Sequence, residues 1–70
     1  MPKNILIIDD DESITRLIGI MLVRAGYEIS TASNGQQGLE KVFEEHPDLV
    51  ILDMMMPDMT GADVCRRIRS

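Results

Sequence analysis

The chain has 70 residues, a formal net charge of −5 and 44% apolar content. That length bounds it to one small domain or a piece of one. The acidic balance argues against nonspecific nucleic-acid binding, and the apolar content argues against disorder.

Met1-Pro2-Lys3-Asn4 leads straight into a short apolar run, without the apolar region and cleavage site of an export signal. No apolar run approaches the roughly 20 residues of a membrane helix. The single cysteine, Cys65, forms no internal disulfide and fits a reducing compartment, so a cytoplasmic location is expected.

Asn4 to Ile8 is a continuous apolar, β-branched run stopped by Asp9, Asp10 and Asp11. Continuous rather than alternating apolarity predicts a strand covered on both faces, the parallel-sheet pattern. A helix is predicted from about Glu12 to Ala25, with Ile14, Leu17, Ile18, Met21 and Leu22 on one face. Asp10 and Asp11 supply its N-cap and first-turn charge, and Gly26 ends it.

Tyr27 to Ala32 is a weaker strand, expected at an edge. Asn34 is the N-cap candidate of a second helix, whose apolar stripe is Leu39, Val42 and Phe43 and which Pro47 stops at His46. Gly38 inside that helix is unfavourable by about 1 kcal/mol relative to Ala, which suggests close packing. Leu49 to Leu52 is a third, fully apolar strand, ended by Asp53. Thr60 is placed to cap a last helix, Gly61 to Ser70, with Val64, Cys65 and Ile68 turned inward.

Alternating strands and helices imply a parallel sheet with right-handed crossovers, in which ligands bind outside the carboxyl ends of the strands. Asp9, Asp10 and Asp53 all stand at those ends. If the first and third strands are neighbours, about 4.8 Å apart, the three side chains converge. Clustered carboxylates repel, and a hard divalent cation relieves them. Magnesium takes one or two carboxylates together with a phosphate oxygen, and a carboxylate beside it can attack phosphorus. The plainer reading is that Asp9 to Asp11 cap a helix and Asp53 ends a strand. The combination of both acidic strand ends favours the metal and phosphoryl site.

Three stretches resemble the receiver domains of two-component response regulators: Ile-Leu-Ile-Ile-Asp-Asp-Asp at 5–11, Ala-Ser-Asn-Gly-Gln-Gln-Gly-Leu at 32–39, and Pro-Asp-Leu-Val-Ile-Leu-Asp-Met-Met-Met-Pro-Asp-Met-Thr-Gly at 47–61. The resemblance implies the first half of a flavodoxin-like, doubly wound α/β fold (βαβαβα, strand order 2-1-3). It implies that Asp53 accepts a phosphoryl group from a sensor histidine kinase. It also implies Mg2+ held by Asp10 and Asp53, by Asp9 largely through water, and by the backbone carbonyl of Met55. Pro57 and Gly61 would shape the loop carrying that carbonyl.

The family's domain has five strands and five helices, and residues 1–70 match the first three of each, a partial receiver domain. The hydroxyl residue that ends the family's fourth strand and the lysine that ends its fifth have no counterpart here. Lys3 and Lys41 lie elsewhere. The third strand then becomes an edge with unpaired backbone groups. The expectation is a homodimer through that edge, or complementation by a second half. The alternative function is accordingly a structural or self-associating half-receiver without phosphotransfer. An acid-anhydride hydrolase lacks a general acid and a phosphate-binding lysine, so no enzyme is expected.

The remaining features have plain readings. Met54, Met55, Met56 and Met59 pack a loop rather than bind a soft metal, and Cys65 is a half-buried helix residue. His46 faces the end of the second helix. Arg66, Arg67 and Arg69 complement the dipole of the third.

Overall fold

The computed structural model describes residues 2–54 and 56–69. They form β1 (Asn4–Ile8), α1 (Glu12–Arg24), β2 (Glu28–Ala32), α2 (Gly35–Glu45), β3 (Leu49–Leu52) and α3 (Gly61–Arg69). The strands make one parallel sheet in the order β2-β1-β3. Ile8 stands opposite Ala32 on one side and Leu52 on the other. All three strands therefore end level, which brings their following residues to one rim.

β1 lies between the other two strands, and Ile5 to Ile8 are all buried. Successive side chains alternate faces. Leu6 and Ile8 join Ala32, Leu39 and Val64 in the main core, with Val42, Val50, Leu52 and Ile68 against it. Ile5 and Ile7 point to the opposite face. Leu6, Ile7, Ile8 and Val64 are fully enclosed, and each stabilises the fold by about 1.5–3 kcal/mol through burial. The tightest approach of α2 is at Gly38, where an added Cβ would lie 2.5 Å from Ile8 Cδ1. The close packing expected at Gly38 is present.

The helix ends follow the sequence closely. Asp11 is the N-cap of α1, accepting from the amides of Ser13 and Ile14, and Asn34 caps α2 by accepting from Gln37. Gly26 follows α1 at φ 97°. His46 closes α2 in the left-handed region at φ 50°, and its amide donates to the Val42 carbonyl at 3.0 Å. Thr60 caps α3 with its hydroxyl accepting from the Asp63 amide. Ser70, the expected end of α3, lies outside the described residues.

Three burial expectations, all on helices, are corrected. On α1, Ile14, Leu17 and Met21 are exposed. The helix approaches the sheet instead at Gly19, whose missing Cβ leaves room for Ile29. Contact at Gly19 rotates the Ile14–Leu17–Met21 side away. On α2, Leu39 is buried but Phe43 is 58% exposed, because the helix meets the core through Gly38, Leu39 and Val42, which leaves Phe43 at the margin. On α3, Val64 and Ile68 turn inward at spacing i, i+4, whereas Cys65 is exposed. β3 is not covered on both faces: Leu49 is 54% exposed and Val50 to Leu52 are half-buried. Among the described residues β3 has one neighbouring strand, and that limits its cover.

Candidate functional site

The rim at the carboxyl ends of β1 and β3 collects three acids. Asp53 directly follows β3, and its amide donates to the Ile8 carbonyl at 2.9 Å, continuing the β1–β3 ladder by one residue. On the other side of β1, the Asp9 amide donates to the Ala32 carbonyl at 3.1 Å. Asp9 and Asp53 are thus both held by backbone bonds at the end of the sheet. The carboxylates of Asp9, Asp10 and Asp53 each offer an oxygen, and these oxygens lie within 4.8 Å of one another.

The three consecutive aspartates divide the work. Asp11 is used as the cap, accepting from Ser13 N at 2.9 Å and Ile14 N at 3.3 Å. One oxygen of Asp9 accepts from the Asp11 amide at 2.9 Å, which orients its carboxylate across the turn. Asp10 is exposed, with Asp9 and Asp53 half-buried beside it. The plainer reading holds for Asp11, the N-cap of α1.

Two carboxylates 4.8 Å apart repel by about 1–3.5 kcal/mol for an effective dielectric between 80 and 20. An octahedral Mg2+ with bonds of about 2.1 Å spans about 4.2 Å between opposite ligands. Carboxylate oxygens within 4.8 Å of one another are close to that span. The all-oxygen donor set also fits a hard cation rather than a soft one. The Met55 carbonyl, the fourth expected ligand, lies outside the described residues.

The loop after Asp53 is tightly closed. The Gly61 amide donates to the Met54 carbonyl at 2.8 Å. An added Cβ at Gly61 would fall 2.8 Å from the Asp53 carbonyl oxygen and 2.9 Å from Met54 Cα, so the expected close backbone approach is present. Thr60 and Asp63 bond reciprocally, and Arg66 stands 3.4 Å from Asp63. The Thr60 amide and hydroxyl hold the Asp63 carboxyl below the ordinary value, with Arg66 and Arg67 adding to the effect.

The residue that sequence reasoning missed is Asp58. Its two oxygens accept from the amides of Gly35 and Gln36, each at 2.9 Å. Those two amides hold its carboxyl below the ordinary aspartate value against the opposing effect of burial. The available signal was an acid after Pro57 with no local capping use.

Neither expected non-member of the site enters it. Lys41 Nζ donates to the Thr31 carbonyl, and the Lys3 carbonyl accepts from Glu28 at the opposite end of β1. A cleft of about 910 Å3 beside α1 includes Asp9 but neither Asp10 nor Asp53, so it meets the acid cluster only at Asp9.

A parallel α/β sheet in the order β2-β1-β3 carries three carboxylates at the ends of adjacent strands, an acidic pocket on a doubly wound fold. Comparison with known proteins agrees. The family described as the response regulator receiver domain matches residues 5–70. The alkaline phosphatase synthesis transcriptional regulatory protein PhoP of Bacillus subtilis is 46% identical over 69 residues, covering 99% of this chain and 29% of that protein. The DNA-binding response regulator MtrA of Mycolicibacterium smegmatis is 43% identical over 70 residues, covering 100% of this chain and 31% of that protein. Among solved structures, the response regulator TrrA of Thermotoga maritima in complex with Mg2+-BeF superposes with a TM-score of 0.92 at 46% identity, covering 96% of this chain and 58% of that one. A second structure, with a TM-score of 0.90, holds TrrA in complex with the histidine kinase ThkA.

The chain belongs to the response regulator receiver domain family. It spans about three tenths of the length of these curated relatives. Receiver domains act in phosphorelay signalling, use Mg2+ at an acidic pocket and interact with sensor histidine kinases. No helix among the described residues is long and apolar enough to cross a membrane.

Proposed function

We propose that Asp53 is the phosphoacceptor of this chain, with Mg2+ held directly by Asp10 and Asp53 and through water by Asp9. The observation that carries this reading is the meeting of the three carboxylates within 4.8 Å at the ends of adjacent parallel strands. When bound, Mg2+ neutralises carboxylate charge that would otherwise oppose an incoming phosphoryl group. Asp53 supplies the nucleophilic oxygen. A new O–P bond forms as the N–P bond to the histidine of a sensor kinase breaks, and the imidazole leaves with the electron pair. The Asp53 main chain stays fixed during the transfer through its bond to Ile8. The test is intact-mass measurement after incubation with a small phosphodonor and Mg2+: one phosphoryl group is gained by the parent and none by Asp53→Asn.

A second reading is favoured by Leu49, which is 54% exposed on a strand with one described neighbour. In it the β3 margin takes up another strand, from a second copy or from a complementing half, and the chain serves assembly without phosphotransfer. Sedimentation over a dilution series tests it. A homodimer that dissociates on dilution supports self-association, and a folded monomer at micromolar concentration contradicts it.

A further inference from the structure

We infer that Asp58 is a positioning residue for the acid cluster: it ties the loop that follows Asp53 to the same corner of the fold that holds Asp9. The inference rests on the metal reading of the site proposed above.

The corner is the junction of β2 and α2, residues 32–36. Its first residue, Ala32, accepts the Asp9 amide at 3.1 Å. Its last two, Gly35 and Gln36, donate to Oδ1 and Oδ2 of Asp58, each at 2.9 Å. One short segment therefore references both acid-bearing loops. On the Asp53 side the loop is closed by the Gly61 amide on the Met54 carbonyl at 2.8 Å. Asp58 sits within that closed loop, so fixing its carboxylate fixes the loop against the corner. The contact extends beyond the two hydrogen bonds. Gly35 is buried, and an added Cβ there would collide with the Met59 side chain.

A plainer role would be that Asp58 only caps α2. That helix already has its own cap, since Asn34 Oδ1 accepts the Gln37 amide at 2.8 Å. Asp58 takes different amides and comes from 22 and 23 residues further along the chain. A carboxylate on two first-turn amides is a charge-assisted, two-point attachment at the positive end of the helix. Such an attachment fixes both distance and angle. Releasing it leaves Asp9 in place and lets the Asp53 loop shift relative to it.

The test is an Mg2+ titration of the full chain, followed by amide chemical shifts of Asp10, Met54 and Gly61, with urea unfolding in parallel. Asp58→Ala weakens Mg2+ binding several-fold, up to about the tenfold seen when a group bonded directly to a metal ligand is lost. Asp58→Asn, which keeps one carbonyl acceptor, recovers part of that affinity and serves if the alanine variant does not fold. Ile68→Ala, in the last turn of α3 and away from the corner, removes a side chain packed against the core, so it lowers the urea midpoint and leaves Mg2+ affinity unchanged. Unchanged Mg2+ affinity in Asp58→Ala, or an equal loss in Ile68→Ala, overturns the inference while the metal reading stands. A parent chain that binds no Mg2+ overturns the metal reading itself, and this inference with it.

Discussion

The amide of Asp53 donates to the carbonyl of Ile8 at 2.9 Å, so the candidate acceptor is held by the last residue of the strand that leads into Asp9 and Asp10. The bond makes the site an extension of the sheet ladder. Its geometry is therefore coupled to how well β1 is packed, and β1 is the best-buried element.

On the proposed reading Mg2+ affinity depends on Asp10, which is exposed and takes no part in capping α1. Asp10→Ala weakens Mg2+ binding by at least about tenfold, since loss of an outer-shell partner alone costs that much. Asp11→Ala instead removes the α1 cap and costs about 1 kcal/mol of stability. Calorimetric Mg2+ titration and urea unfolding of the two variants separate the roles.

Gly38→Ala destabilises the protein although it improves helix propensity by about 1 kcal/mol. The new Cβ would lie 2.5, 2.8 and 2.9 Å from three atoms of Ile8, a side chain with no exposure and nowhere to move. Overpacking of this kind costs about 1–3 kcal/mol, so the net loss is up to about 2 kcal/mol. Adding Ile8→Val removes the nearest of those atoms. The double variant therefore loses less than the sum of the single changes, as read from urea midpoints.

His46→Gly stabilises the chain. A residue with a Cβ in the left-handed region costs about 1–2 kcal/mol, and His46 is held there at φ 50°, ψ 58°. Glycine removes that cost and keeps the amide bond to Val42, but it adds entropy to the unfolded chain. The expected gain is about 0.5–1 kcal/mol, measured by urea or thermal unfolding.

Stability falls in acid through Asp58 and Asp63. The amides of Gly35 and Gln36 hold Asp58 below 3.8, and the Thr60 amide and hydroxyl do the same for Asp63. Folded values below the unfolded ones mean that the unfolded chain binds protons first. The contribution is complete above the unfolded value, about pH 4, and is lost as pH falls through the lower folded values. The double variant Asp58→Asn, Asp63→Asn starts less stable at neutral pH and shows a shallower loss as pH falls below about 4. Unfolding midpoints across that range check the slope.

Much of this arrangement was readable from residue order. The unbroken run Ile5 to Ile8 marks a central parallel strand. The acids that end the first and third strands fall on one rim because parallel strands in register end level. The caps at Asp11 and Asn34 are local and were visible for that reason. Periodicity, however, gives a helix its apolar stripe without saying which part meets the sheet. Ile14, Leu17, Met21 and Phe43 are exposed on that account, and Cys65 sits one step off the line joining Val64 and Ile68. The bond from Asp58 to Gly35 joins residues 23 apart, and no local pattern encodes it.

The central claim is that Asp53 accepts a phosphoryl group in a site built with Asp9 and Asp10. Intact-mass spectrometry of the folded chain after exposure to a small phosphodonor tests it most directly, with and without Mg2+. The expected result is a single phosphoryl adduct that requires Mg2+ and disappears in Asp53→Asn. An adduct that persists in Asp53→Asn, or none on a parent chain with a folded circular-dichroism spectrum, contradicts it.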